Sequence, residues 1–337
     1  MENTHSTKHI LIDIETTGIQ KHHDFIVCIG VLYITTSDNI KSPHYYQWIS
    51  KTIDEEKSNL ISFINFIKDF SHIYSFSGKS FDIPFLIARC AFHNIGFDIF
   101  KDIYLVDIKK PLLNFATNRL NLETLLDFKR QSMSTGRELA KICKLYQNSN
   151  ENIYKSIILS HNHDELYSLL AFYEVYTTLL GLKNTNNASI SETNLTNNYL
   201  VFNFISASNF LYNFCATYNN ISISWAKNTS DILIKVGLYN VNLKKYLLPA
   251  KDYYYIISQK QIVHRSIAQF IDKNDKQKVH KDECYISKQN SYAPLITTHK
   301  LQCPIWYNEC KAPFITYSDL TPSILASQLA NLVLVGN

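Results

Sequence analysis

The stretch His9–Ile19, with the sequence HILIDIETTGI, decides the fold that we expect for this chain. Its apolar, β-branched run Ile10–Ile14 predicts a short buried strand. Two acids, Asp13 and Glu15, interrupt this run with one residue between them. Because alternate side chains of a strand lie on the same face, both carboxylates are expected to point the same way. Thr-Thr-Gly then turns the chain away.

Two like charges this close repel each other unless a cation lies between them. Mg²⁺ and Mn²⁺ are hard cations that prefer carboxylate oxygens, and the alternative is an ordinary strand end whose acids face solvent. The longer string D-I-E-T-T-G resembles the first motif of the DEDD 3′–5′ exonucleases, which have the ribonuclease H-like fold. The resemblance implies that Asp13 and Glu15 bind metal and that Thr16 and Thr17 contact substrate.

Length and composition set the outer limits of the interpretation. A chain of 337 residues predicts two domains or one large one, and 46% hydrophobic with 18% charged residues favours a folded chain. A net charge of +4 permits a nucleic-acid partner without requiring one. The seven cysteines are scattered, and we recognise no signal peptide or transmembrane run. We therefore expect reduced cysteines, a cytoplasmic location and no membrane partner.

Further apolar segments predict an α/β fold, a ribonuclease H-like mixed sheet flanked by helices. We expect strands at Phe25–Thr35, Tyr45–Ile49, Ile73–Phe76 and Ile103–Val106. We expect helices at Asp54–Phe70, Leu120–Arg130, Ser134–Tyr146 and Ser156–Leu180. The first three strands would form the antiparallel meander with which a ribonuclease H-like sheet begins.

Asp82 is the candidate for a third acidic ligand. It stands directly before I-P-F-L, and Pro84 suits the first turn of a helix. Asp82 would then lie close to an N-cap position, where capping alone is the structural alternative. The phrase GKSFDIPFL resembles the second exonuclease motif, in which an Asp after a strand and a turn enters the metal site. The resemblance implies that Asp82 binds metal and that Phe81 contacts substrate.

The fourth acid of a DEDD site is expected in the string HNHDE, residues 161–165, which we place just before or in the first turn of a helix. Asp164 has the residue type of the motif. Glu165 keeps a His161-x-x-x-acid spacing, and H-N-x-x-acid resembles the YprB-type ribonuclease H-like proteins. Consecutive residues of a helix point about 100° apart, so one metal cannot take both acids. We favour Glu165 and keep Asp164 beside it, with His161 positioning or deprotonating the attacking water.

Two further segments, LNLETLLDFKR and STGRELAKICKLY, also resemble the YprB-type proteins. In that pattern a helix ends in a basic residue, here Arg130, and a turn with Gly leads into the next helix. Arg130 and Arg137 are candidates for contact with substrate phosphate. The alternative for both residues is a solvated helix end.

Residues 184–198, NTNNASISETNLTNN, are polar and predict a linker. They would join a ribonuclease H-like domain, 1–183, to a smaller β-rich α+β domain of unknown role, 199–337. In the second domain we expect strands at Leu200–Ile205, Asn220–Trp225, Asp231–Tyr239 and Tyr253–Ile257. We expect helices at Ser258–Asp272 and Pro322–Val335.

Together these features predict a metal-dependent 3′–5′ exonuclease that hydrolyses phosphodiester bonds of single-stranded DNA or RNA. By resemblance, two Mg²⁺ or Mn²⁺ ions would be held by Asp13, Glu15, Asp82 and either Glu165 or Asp164. Two alternatives stay open, namely a catalytically impaired nucleic-acid-binding module and a structure-selective endonuclease.

Overall fold

A computed structural model describes residues 8–37, 40–132, 135–149, 151–184, 188–194, 198–299 and 301–334. The first half of the chain builds a five-stranded mixed sheet with helices on both faces. Its strands are β1 His9–Thr16, β2 Ile26–Ser37, β3 Ile40–Ile49, β4 His72–Ser75 and β5 Tyr104–Asp107. Its helices are α1 Ile53–Ile67, α2 Asp82–Phe92, α3 Ile99–Asp102, α4 Lys109–Leu112, α5 Arg119–Leu125, α6 Gly136–Asn148 and α7 Asn152–Gly181, which a 3₁₀ turn extends over Leu182–Asn184.

The strand order is β3-β2-β1-β4-β5, so β1 lies at the centre of the sheet. β2 runs antiparallel to β1 and β3, whereas β4 and β5 run parallel to β1. On one face of β1, Ile10 and Ile12 pack in a cluster with side chains of α1 and α2. On the other face, Leu11 packs in a cluster with α7. Asp13 and Glu15 lie two and four residues after Leu11 on the strand, so they share its face of the sheet. The face that carries both acids is therefore the one that α7 covers.

A crevice opens at the carboxyl end of β1. Among the described residues, β4 pairs with β1 along His9–Leu11 and no strand pairs with the rest of β1 on that side. After β4 the chain turns and returns at Asp82, the first residue of α2. Ligands of open α/β sheets bind in crevices at the carboxyl ends of parallel strands. The fold therefore places the acids at the position where such sheets bind their substrates.

The second half of the chain is β-rich, as the sequence predicts. Its strands are β6 Ala188–Asn194, β7 Tyr199–Ile205, β8 Phe214–Tyr218, β9 Ile221–Trp225, β10 Asp231–Gly237, β11 Tyr239–Tyr246, β12 Tyr253–Ile256, β13 Gln261–His264, β14 Lys276–Lys278, β15 Tyr285–Pro294, β16 Trp306–Tyr307 and β17 Pro313–Thr316. Its helices are α8 Arg265–Ala268 and α9 Pro322–Leu334, with 3₁₀ turns at Ala250–Asp252 and Lys273–Asp275. They form a five-stranded sheet, β6-β7-β10-β9-β8, a closed four-stranded barrel, β11-β15-β17-β16, and a three-stranded sheet, β13-β12-β14.

Within the expected polar linker, 184–198, residues 188–194 form β6 and pair with β7. β6 is the edge strand of its sheet, and edge strands tolerate the polar composition that suggested a linker. Residues 185–187 and 195–197 lie outside the described residues. Apolar side chains of both halves share one cluster, among them Leu170, Phe202 and Leu329. The division of the chain into two domains stays a prediction.

The expected helix at Ser258–Asp272 is wrong. Gln261–His264 form β13, which pairs with β12, and only the four residues of α8 are helical. Pairing with the preceding strand overrides the helical spacing of the apolar residues, two of which, Ile267 and Phe270, are exposed. The predicted closing helix is confirmed as α9. All seven cysteines lie within the described ranges and are free.

No helix in the described part of the chain has both the length and the apolar character needed to cross a membrane.

Candidate active site

Asp13 lies on β1 under α7, and the helix supplies its hydrogen-bond partner. The Nδ2 atom of Asn162 donates to Asp13 Oδ2 over 2.8 Å and approaches the backbone oxygen of Asp13 at 3.3 Å. Burial raises the pKa of Asp13 well above its usual range, and the charges of Glu165 and Asp82 raise it further. Arg119 and the Asn162 hydrogen bond act in the opposite direction. The first acid of the motif is thus partly buried and lies among other acids.

Glu15 lies at the end of β1, where a bulge shifts the pairing with β2. Its side chain is buried, and its Oε1 atom has no hydrogen-bond partner in the described part of the chain. Burial raises the pKa of Glu15 well above its usual range, and the charges of Asp13 and Glu165 add to the effect. A buried, unpaired carboxylate oxygen among like charges is costly, so this point of the site favours a cation.

Asp82 reaches the same group of acids from α2. Its carboxylate accepts hydrogen bonds from its own backbone N–H and from that of Ile14, the residue between the two acids of β1. It does not act as an N-cap, because the N-cap position of α2 is Phe81. Burial raises the pKa of Asp82 to about 7, although the two backbone hydrogen bonds oppose the change.

The turn that presents Asp82 is fixed from the neighbouring strand. Asp107, at the end of β5, accepts hydrogen bonds from the backbone N–H groups of Ser77 and Lys109. Ser77 has a positive φ of 77°. At the next residue, Gly78, an added Cβ atom would overlap the side chain of Ser75. Asp107 therefore serves the turn after β4 from the end of β5.

Glu165 lies close enough to Asp13 and Glu15 to raise their pKa values, but two arginines hold its carboxylate. Arg130 Nη1 lies 2.6 Å from Oε1, and Arg119 pairs with Oε2. Burial alone would raise the pKa of Glu165, but the charges of Arg119 and Arg130 outweigh it and lower the pKa. Arg130 also binds Glu123 through two nitrogens, at 2.6 and 2.8 Å.

Asp164 faces a different part of the chain. Its Oδ2 atom accepts hydrogen bonds from the backbone N–H groups of Gln131 and Ser132, over 2.7 and 2.6 Å. This carboxylate therefore anchors the loop that follows Arg130. Of the two acids that the sequence left open, Glu165 lies with Asp13 and Glu15, and Asp164 holds the loop.

His161 lies between two of the acids. Its Nε2 atom is 3.5 Å from Glu165 Oε1 and 4.0 Å from Glu15 Oε1, and its Nδ1 atom is 3.3 Å from Ser132 Oγ. Burial lowers the pKa of His161, so the neutral imidazole is favoured at neutral pH. The expected first-turn position is wrong, because α7 begins at Asn152 and His161 lies well inside it.

The residues expected to contact substrate have different surroundings. Thr16 Oγ1 donates to the backbone oxygen of Gly18, and Thr17 Oγ1 accepts from Phe25 N and donates to Asp24, so both hydroxyls serve the turn after β1. Arg137 is exposed in the first turn of α6.

Phe81 is the expected substrate contact that lines an open cleft. The cleft has a volume of about 490 Å³ and lies beside Asp82. Its other walls come from the turn after β1 and from the start of α2, namely Ile19, Gln20, Lys21, His22, His23, Ser80, Pro84 and Phe85.

No group of three or more His, Cys, Asp or Glu side chains within the described ranges is close enough to hold a metal ion as it stands. The chemistry of the donors nonetheless fits a hard divalent cation, because Asp13, Glu15 and Asp82 offer only carboxylate oxygens. One of these oxygens is buried and has no partner in the described part of the chain.

Sequence reasoning missed two residues that touch the acids, Arg119 and Asn162. Asn162 lies inside the string that supplied His161 and Glu165, but an Asn beside a His carries no signal of its own. Arg119 stands four residues before Glu123, a spacing that usually indicates a surface ion pair. Its contact with Glu165 is set by the packing of α5 against α7 and could not be derived from the sequence.

The five-stranded mixed sheet and its flanking helices give the first half of the chain a ribonuclease H-like fold. More particularly, residues 10–177 match the model of the RNase_H_2 family, which belongs to the RNase H superfamily. The predicted fold class is therefore confirmed, and the superfamily supports nuclease chemistry in general.

The chain was also compared with curated proteins and with solved structures. A search of the curated proteins gave no match. Among solved structures, the chain is similar to a family B DNA polymerase from the hyperthermophilic archaeon Pyrobaculum calidifontis, with a TM-score of 0.42 and 11% sequence identity. The match covers 97% of this chain and 42% of the polymerase, so the chain spans less than half of the polymerase's length.

Proposed function

We propose that this chain is a DEDD-type, metal-dependent exonuclease that shortens single-stranded DNA or RNA from the 3′ end. The observation that carries the proposal is the Oε1 atom of Glu15, which is buried beside other acids and has no hydrogen-bond partner among the residues that the structure describes. A folded protein retains such a group at a cost, and a bound cation removes that cost. The YprB type of the superfamily is part of the same proposal.

Asp13, Glu15 and Asp82 are the residues that would hold two Mg²⁺ or Mn²⁺ ions. Glu165 is the proposed fourth ligand, since its charge acts on Asp13 and Glu15, whereas Asp164 is engaged with backbone N–H groups. Such ions supply an activated water and neutralise charge that develops on the phosphate.

His161 is the proposed proton acceptor. With a proton on Nδ1 directed at Ser132 Oγ, the Nε2 atom is free to accept a proton from an attacking water. Its lowered pKa keeps the imidazole neutral and therefore able to accept. The short distances from Nε2 to Glu15 and Glu165 stabilise the imidazolium that forms.

The cleft beside Asp82 is the proposed binding site for the terminal nucleotide. The ring of Phe81 offers a stacking surface for a base, and stacking accepts every base, which suits an enzyme without sequence preference. Lys21 in the same cleft supplies a positive charge for the backbone. Arg119 and Arg130 would bind a phosphate of the nucleic acid in place of Glu165. The exposed Arg137 would attract the nucleic-acid backbone by its charge.

The test uses single strands of DNA and RNA labelled at the 5′ end, incubated with the full chain and Mn²⁺. We expect a ladder of products that shorten from the 3′ end, a block by a 3′-terminal phosphorothioate linkage, and no cleavage of circular single strands. Asp13→Asn should abolish the ladder, and Asp102→Asn, an exposed acid outside the group, should leave it intact. Undiminished cleavage by Asp13→Asn would contradict the proposal, and cuts in circular strands would indicate a structure-selective endonuclease.

One observation favours a second candidate, a nucleic-acid-binding module without activity. Glu165 is fully engaged by two arginines, which leaves three acids for the metal. This candidate predicts binding of single strands that survives EDTA, together with no hydrolysis in any divalent ion. The same incubations, followed by gel-shift measurements in EDTA, separate the two candidates.

A further inference from the structure

Asn162 is fully buried on α7, and each of its side-chain polar atoms has a partner. Its Nδ2 atom donates to Asp13 Oδ2 at 2.8 Å, and its Oδ1 atom accepts from Gln47 Nε2 at 3.0 Å. Gln47 lies on β3, two strands away from Asp13 in the sheet. A line of hydrogen bonds therefore runs from β3 through α7 to the first acid of the site.

The direction of this line is determined by one backbone atom. Gln47 Nε2 also lies 2.9 Å from the backbone oxygen of Leu159, and a carbonyl oxygen can only accept a hydrogen bond. The Gln47 amide must therefore turn its nitrogen to Leu159 and Asn162. The Asn162 amide must in turn present its oxygen to Gln47 and its nitrogen to Asp13.

The backbone of β2 makes room for this arrangement. Gly30 lies opposite Asp13 in the pairing of β1 with β2. A Cβ atom at Gly30 would overlap the side-chain amide of Asn162. The glycine thus allows Asn162 to reach the strand, and it carries no chemistry of its own.

We propose that Asn162 is a positioning residue that holds one carboxylate oxygen of Asp13 and leaves the other side of the group turned to Glu15 and the cation site. The proposal rests on the proposed function. A carboxylate on a strand can rotate about its Cβ–Cγ bond, and a hydrogen bond from a fixed amide restricts that rotation. Mutation of a residue that hydrogen-bonds to a metal ligand typically lowers metal affinity by about 10- to 100-fold.

The experiment measures Mn²⁺ affinity by isothermal titration calorimetry on metal-stripped full chain, together with thermal melting and 3′-end cleavage. Asn162→Leu removes both hydrogen bonds and keeps the branched skeleton of the side chain, and we expect Mn²⁺ affinity to fall by about 10- to 100-fold. Gly30→Ala places a Cβ atom where the Asn162 amide lies and removes no polar group from the chain, and we expect a loss in the same range. Gln47→Met, at a partly exposed position, should cause a smaller loss, of up to about 10-fold.

The matched control is Gln328→Leu. Gln328 is a buried amide on α9 that binds the backbone of Ile296 and Thr297, outside the acid group. We expect this variant to lower the melting temperature and to leave Mn²⁺ affinity within about twofold of the wild type. Loss of Mn²⁺ affinity in the three site variants but not in this control would separate positioning from general stability.

Each outcome decides one of the two proposals. If the wild type binds Mn²⁺ and cleaves, and folded Asn162→Leu binds Mn²⁺ equally well, the positioning role is wrong and the proposed function stands. If Asn162→Leu does not fold, unchanged affinity in Gln47→Met and Gly30→Ala overturns the positioning role. If the wild type neither binds Mn²⁺ nor cleaves, the proposed function fails and this inference fails with it.

Discussion

Two buried glutamates of the ribonuclease H-like domain, Glu56 and Glu15, have opposite surroundings. Glu56 is 1% exposed, and its carboxylate accepts from the backbone N–H of Ile26, from Arg89 and from His93, at 2.8 Å in each case. Glu15 is 8% exposed, and one of its oxygens has no partner within the described ranges.

The difference shows what each carboxylate is for. A buried charge is stable when the chain completes its hydrogen bonds and its charge balance, as it does for Glu56. Around Glu15 the nearest charged groups are other acids and the weakly basic His161. Under the proposed function a cation from solution balances this charge, and buried groups with perturbed pKa values are typical of functional sites.

The largest effect that we expect is a loss of hydrolysis when one of the acids beside Glu15 is substituted. Asp13→Asn removes one proposed ligand at constant volume, and we expect the rate of 3′-end cleavage in Mn²⁺ to fall by about 1,000-fold, equivalent to several kcal/mol. The metal-free melting temperature should not fall, because the change removes a repelling charge. A variant that cleaves poorly only because it is unfolded would show a lower melting temperature.

Substitution of Glu56, whose hydrogen bonds the chain completes, should lower stability and leave metal binding unchanged. Glu56→Gln leaves the buried Arg89 without its counter-ion, and we expect the free energy of unfolding to fall by about 3–5 kcal/mol. Chemical denaturation measures this loss, and Mn²⁺ affinity of the folded fraction should stay unchanged. Asp54→Asn, an exposed acid on the same helix, is the control and should cost less than about 1 kcal/mol.

The same contrast explains what the sequence could and could not predict. D-I-E-T-T-G and GKSFDIPFL carry their own local signal, because an acid at the end of an apolar strand is unusual. The sequence therefore singles out both acids of β1 and Asp82 as candidates. The partners of these acids come from α5 and α7, far away in the chain. Asn162 and Arg119 reach the site through packing of helices on the sheet, for which single-sequence patterns give no signal.

The departures from the expected secondary structure have a similar origin. The polar residues 188–194 become a strand because an edge position of the second sheet accepts them. The apolar spacing of Ser258–Asp272 fits a helix, but the preceding strand takes Gln261–His264 as its partner. In both cases pairing between segments outweighs local preference.

An intermediate effect is expected for Arg119→Gln, which removes one of the two cations on Glu165. We expect KM for single strands to rise by about 10-fold, the loss of one charge-assisted contact with phosphate. Mn²⁺ affinity should stay or increase, since a cation near the acids is lost and Glu165 is less restrained. Calorimetry with Mn²⁺ checks the second point, and a clear fall in affinity would show that Arg119 instead positions Glu165 as a ligand.

The smallest effect, and the sharpest contrast, is expected for Glu15→Gln in the absence of metal. Here the substitution removes a charge that its neighbours repel, so we expect the free energy of unfolding to rise by about 1 kcal/mol. The same Glu-to-Gln change should thus have opposite signs at Glu15 and Glu56. Parallel chemical denaturation of both variants in EDTA measures this difference. A lower free energy of unfolding in both variants would mean that the chain itself also balances the charge of Glu15.

The most direct test of the central claim is calorimetric titration of Mn²⁺ into the EDTA-stripped wild type and Glu15→Gln. We expect the wild type to bind Mn²⁺ and to gain in melting temperature, and the variant to bind at least about 10-fold more weakly. No binding by the wild type at millimolar Mn²⁺, or equal binding by Glu15→Gln, would contradict the claim that these acids are assembled for a cation.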